Sequence, residues 1–183
     1  MDPNFFKRLI AVTDLEMTGL NPDTHEIIEV GLVLADHETW EIADTLDLKV
    51  KPEHPETADP SALKVNGYRA EDWQDAVPLK EALEQYASKT KGAIFCAHNI
   101  AFDWAFLDKA FRKTGVKHEM DYHQIDVPSI AWAKLRHTGI GMIRLSALCR
   151  YFGIPEEPPQ HRAINGARVA YEVLKRLASA EKV

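Results

Sequence analysis

A chain of 183 residues that is 45% hydrophobic can bury one substantial core and leaves little room for another, so residues 1–183 read as a single domain. Its 22 Lys and Arg against 28 Asp and Glu give a net charge of −6, which excludes a protein drawn globally onto a phosphate backbone; any nucleic acid must be gripped locally. Two cysteines in apolar stretches, Cys96 and Cys149, and no run of membrane-spanning length predict a cytoplasmic protein with reduced thiols, no membrane contact and oxygen ligands for any metal.

The first apolar run, Arg8 to Val12, leads into Thr13-Asp14-Leu15-Glu16 and a Thr18-Gly19 turn, and reads as a buried strand ending in carboxylates. Ile27 to Ala35 is a second strand. Glu41 to Val50 sets Ile42, Leu46, Leu48 and Val50 among polar neighbours, the pattern of a third strand antiparallel to the second. From Lys51 to Asp75, Pro52, Pro55 and Pro60 punctuate a long surface connection of the kind that touches ligands. Pro78 to Lys91 carries Leu79, Ala82, Leu83 and Tyr86 at helical spacing, and Ala93 to Ala97 then reads as a central strand. Phe102, Phe106, Leu107, Ala110 and Phe111 mark a second amphipathic helix, ended by Thr114-Gly115. Asp126 ahead of Val127-Pro128 opens another helix, and Leu145 to Phe152 forms a short one stopped by Gly153. After a proline-rich loop, Glu156 to Gln160, the residues Val169, Ala170, Val173, Leu174 and Leu177 define the last helix. The order βββαβα followed by helices predicts an α/β fold, a mixed sheet of about five strands flanked by helices.

Asp14 and Glu16 stand two apart on a strand, so they share one face while Leu15 points to the other. Two ionised carboxylates about 4 Å apart near a surface repel by roughly 4 kcal/mol at an effective dielectric of about 20. Such a pair needs a cation or a shared proton, unless it is simply a solvated strand end. Asn99-Ile100-Ala101-Phe102-Asp103 lies where a buried strand passes into a helix, a place where ligands of open α/β sheets collect. Asn99 can serve as the helix cap and Phe102 as core. Asp103 gains about 0.3–1 kcal/mol from the helix dipole, yet it follows an apolar residue and can face the same sheet end as Asp14. His161 by itself reads as a surface histidine. Beside three carboxylates it becomes a base titrating near neutral pH, suited to deprotonating an attacking water.

Thr13-Asp-Leu-Glu-Met-Thr-Gly-Leu20, His98-Asn-Ile-Ala-Phe-Asp103 and His161-Arg-Ala163 resemble, in order and spacing, the three motifs of the DEDDh exonucleases. This is the DnaQ-like family, which includes DNA polymerase proofreading subunits and oligoribonuclease, and the resemblance spans residues 8 to 178. It implies a ribonuclease H-like fold and a 3′-to-5′ exonuclease acting on single-stranded DNA or RNA 3′ ends or short oligonucleotides. It further implies that Asp14, Glu16 and Asp103 hold two Mg²⁺ or Mn²⁺ ions against the scissile phosphate while His161 activates water. By the same resemblance Met17, Thr18 and Leu20 cradle the terminal nucleotide, and Asn99 and Phe102 line its pocket.

One position departs from the pattern. The family places a fourth carboxylate five residues after the histidine, and Gly166 stands there instead. Asn165 offers only a neutral carbonyl, a weaker ligand for a hard cation, and Asn-Gly can instead start the last helix with Asn165 as its N-cap. Weakened metal affinity, a non-catalytic nucleic-acid- or nucleotide-binding relative, and a deliberately altered chain all remain open at this level.

Overall fold

In a computed structural model, residues 5–179 are described. Five strands form one mixed sheet in the order β3-β2-β1-β4-β5: β1 (Ile10–Met17), β2 (Ile27–Ala35), β3 (Ile42–Lys49), β4 (Ile94–Ala97) and β5 (Gln124–Asp126). β1 and β3 both run antiparallel to β2, while β4 lies parallel to β1 and β5 parallel to β4. β5 has no counterpart in the sequence reading, because three residues cannot display an alternation.

Helices cover both faces, and the parity of β1 says which residues meet which helices. Ala11, Leu15 and Met17 pack into a cluster with Leu83 and Tyr86 of α2 (Leu79–Lys89) and Phe106 and Phe111 of α3 (Ile100–Thr114). Ile10 and Val12 pack on the other side with Ala131 of α4 (Val127–Leu135), Leu148 of α5 (Leu145–Phe152) and Leu174 of α6 (Ala163–Ser179). All nine residues of β2 are buried, as a strand covered on both faces requires. Cys96 and Cys149 are both buried free thiols.

The long connection before α2 holds a helix that the sequence reading took as loop. α1 (Pro60–Asn66) is capped by the Asp59 side chain accepting from the Ser61 N–H, and a buried Asn66 donates its side-chain amide to the Met17 carbonyl at 3.1 Å. That bond lays α1 against the end of β1. Two further local assignments are corrected. Asn99 does precede α3, but in the left-handed region (φ 74°, ψ 58°) and with no capping side-chain bond. Asp126 does that work: one oxygen accepts the Ile100 N–H at 3.1 Å and the other the Ser129 N–H at 2.9 Å, so one carboxylate caps both α3 and α4. Nor is Asn165 an N-cap, because α6 begins at Ala163. The Glu29 side chain of β2 supplies the missing acceptor, taking the Ala163 N–H at 3.0 Å.

α6 approaches the sheet closely where Gly31 leaves space. A Cβ at Gly31 would lie 2.2 Å from the Ala163 carbonyl carbon and oxygen, backbone atoms that cannot swing aside. Gly31→Ala is therefore expected to destabilise the fold by roughly 2–3 kcal/mol through overpacking. A urea melt at unchanged slope would measure it, and a midpoint equal to that of the parent would refute the close contact.

Candidate active site

β1 continues through the acidic pair, so the strand does not end in carboxylates as its composition suggests; it carries them inside. Asp14 and Glu16 are only partly exposed and share the parity of Ile10 and Val12, which puts them on the α6 face. β4 stops at Ala97, having paired with β1 only as far as Val12. The Leu15 N–H therefore finds its acceptor outside the sheet: Asp103 Oδ1, 3.1 Å away in the first turn of α3. A shortened strand thus explains why a carboxylate sits 4% exposed beside two others.

These acids raise one another's proton affinity. Burial first, then the charges of Asp103 and Glu16, push the Asp14 carboxyl well above the usual carboxylate range. Burial, followed by Glu157, Glu29 and Asp103, pushes Glu16 up to about 8, with Arg162 partly opposing. Asp103 is pushed up to about 7 by burial, against the pull of its Leu15 bond. A cluster that holds protons near neutral pH for want of positive charge suits a divalent cation with oxygen ligands.

The first turn of α6 completes the site. The fully buried Glu29 pairs with Arg162, 2.7 Å from Oε1 to Nε, which fixes the start of α6 and with it the neighbouring His161. The His161 N–H also donates to the Val65 carbonyl of α1 at 3.1 Å. Its half-exposed imidazole brings Nδ1 to 3.9 Å from Glu16 Oε1 and 4.0 Å from Glu157 Oε2. Gly166 faces Asp14 directly: a Cβ there would stand 2.3 Å from Asp14 Oδ2. The position expected to carry a fourth carboxylate is thus in place, with the helix backbone pressed against the first.

Asp14, Glu16, Asp103, His161 and Gly166 line one cleft of about 690 Å³, a volume that suits a nucleotide. Of the residues expected to bind substrate, Met17, Leu20 and Phe102 line it as well, Leu20 largely exposed and Phe102 edge-on to Phe106. Thr18 and Asn99 do not line it. The Thr18 hydroxyl accepts the Glu26 N–H at 2.9 Å inside the turn, and Asn99 lies exposed beside α3. Sequence reasoning did not assign Asp59, Ser61 and Asn66 from the α1 segment, or Glu157, all of which reach the cleft. Proline-flanked acids ahead of the histidine were the only signal for Glu157.

A family model described as "RNase_T: Exonuclease" matches residues 11–174. The chain is 30% identical over 168 residues to DNA polymerase III subunit epsilon of Haemophilus influenzae, covering 89% of this chain and 63% of that one. It therefore spans less than two thirds of that curated relative. E. coli exonuclease I in complex with a dT13 oligonucleotide superposes with a TM-score of 0.77 at 16% identity, over 94% of this chain and 41% of that one. The nuclease domain of 3′hExo, a DEDDh family member bound to rAMP, gives a TM-score of 0.77 at 18% identity, over 96% and 94%. The sheet and its flanking helices are those of the ribonuclease H-like exonuclease fold, and with its three motifs gathered at one cleft the chain belongs to the RNase_T family, the DnaQ-like 3′-to-5′ exonucleases.

Proposed function

We propose that this chain, read as one exonuclease domain over residues 1–183, removes nucleotides from the 3′ ends of single-stranded DNA or RNA or of short oligonucleotides in the cytoplasm. The observation that carries the reading is the convergence of Asp14, Glu16, Asp103 and His161, from β1, α3 and the start of α6, on one nucleotide-sized cleft. The carboxylates fit Mg²⁺ or Mn²⁺ as a donor set: all-oxygen, buried and short of positive charge. Asp14, Glu16 and Asp103 would hold two such ions, which when bound supply charge stabilisation to the attacking and leaving oxygens of the phosphate.

The chain's own groups do the rest. His161, half exposed at the cleft mouth, takes the proton of the attacking water and passes it to solvent. The water oxygen bonds to phosphorus as the bond to the penultimate 3′ oxygen breaks; that oxygen takes a proton from solvent, so a nucleoside 5′-monophosphate and a new 3′-hydroxyl are released. Leu20 and Phe102 present apolar surface to the terminal base, a sequence-tolerant grip that suits an acidic protein holding only a strand end.

Gly166 favours a second reading, a non-catalytic relative that binds nucleic-acid ends or nucleotides in the same cleft. The test is a 3′-labelled oligonucleotide, as DNA and as RNA, incubated with Mg²⁺ or Mn²⁺ and either this chain or its Gly166→Asp variant. Release of mononucleotides by the unaltered chain is the expected result. Binding without release by both forms, at every metal concentration, would replace the exonuclease with the binding protein.

A further inference from the structure

We infer that Glu157 is the carboxylate that takes over from the one absent at position 166, reaching the cation site from the proline-rich loop ahead of α6. This rests on the reading of the cleft as a metal-dependent nuclease site. Four observations carry it. First, α6 offers no side chain at Gly166, and its backbone lies so close to Asp14 that a Cβ would meet the Asp14 carboxylate. Second, Glu157 is held in place: its Oε1 accepts the Arg162 N–H at 3.1 Å, while Oε2 turns toward Nδ1 of His161 at 4.0 Å.

Third, atoms of Glu16, Glu157 and His161 all lie within 4.8 Å of one another, so one divalent ion can bridge the two carboxylates beside the imidazole. Among the described residues no Lys or Arg lines the cleft, and the nearby Arg162 guanidinium is engaged by Glu29 and Asp47. The neighbouring Glu156 also reaches the cleft, but its carboxylate is taken by Arg150 at 2.8 Å, which singles out Glu157. Fourth, Glu157 precedes Pro158-Pro159, and a residue before proline is confined to extended backbone, so the carboxylate is presented at little entropic cost.

Glu157 could instead only orient His161, and metal affinity separates the two roles. Mn²⁺ binding, followed by the paramagnetic resonance of the free ion, would be compared in the parent, Glu157→Gln and Asp14→Asn. Circular dichroism and melting in EDTA would confirm that each is folded. Glu157→Gln is expected to weaken Mn²⁺ binding roughly tenfold or more, as loss of one anionic ligand does. Affinity within twofold of the parent in Glu157→Gln, alongside a large loss in Asp14→Asn, would overturn the inference and leave the nuclease site standing. Unchanged affinity in both would remove the metal site itself.

Discussion

Asp14→Asn is expected to abolish most 3′-end cleavage, lowering kcat/KM by roughly 10³-fold, while making the metal-free protein more stable. The two effects have one cause. Asp14 sits between Asp103, Glu16 and the backbone of Gly166, so in the absence of cations its negative charge is desolvated and repelled. No hydrogen bond reaches its carboxylate among the described residues, and asparagine therefore sacrifices none. Catalysis needs that charge, since a carboxylate holding the cations contributes several kcal/mol of transition-state stabilisation, and about 4 kcal/mol is close to 10³ in rate. Kinetics on a 3′-labelled oligonucleotide with Mn²⁺, beside melting in EDTA at pH 8, would show both. A variant that loses activity and also melts lower without metal would mean that Asp14 is a structural residue.

The legible parts of this fold were those whose cause is local. Ile27 to Ala35 announces a strand because its nine residues are apolar but for Glu29 and Gly31, and Asp14 and Glu16 announce a shared face because a strand alternates with period two. Gly115 and Gly153 mark helix ends in the sequence, and both adopt the left-handed conformation there (φ 72° and 67°). What escaped depends on partners far away along the chain. Asn99 was the natural cap for α3 until Asp126, 26 residues beyond Ile100, proved to hold the Ile100 N–H. The start of α6 was misplaced because its first N–H is satisfied by Glu29 on β2, 134 residues earlier. Glu157 escaped for the same reason, since its relation to Glu16 exists only once the proline-rich loop folds back over β1.

The same electrostatics predict an unusual pH dependence of stability, with a sign that metal reverses. In the folded, metal-free protein Glu16 titrates at about 8 and Asp103 at about 7, with Asp14 also raised, whereas their unfolded values lie near 4. For an acid whose folded pKa is raised, the folded state holds more protons than the unfolded one between the two values. Stability therefore falls as pH rises through that window. His98 and His118 act oppositely, because burial lowers their pKa and stability gained by keeping them neutral increases with pH up to the unfolded histidine range. Between pH 6.5 and 8.5 the acids dominate, the buried Cys96 and Cys149 thiols adding in the same direction near its upper end, and an excess of one proton or slightly more gives a loss of roughly 2–3 kcal/mol at about 1.4 kcal/mol per pH unit per proton. For a chain of this size that is a fall in Tm of roughly 4–12 °C in EDTA. With saturating Mn²⁺ the deprotonated carboxylates become ligands, binding strengthens with pH, and Tm should rise over the same interval. Parallel pH profiles with and without Mn²⁺ would refute the cation site, and a flat profile in EDTA would show that the three acids are not buried against one another as described.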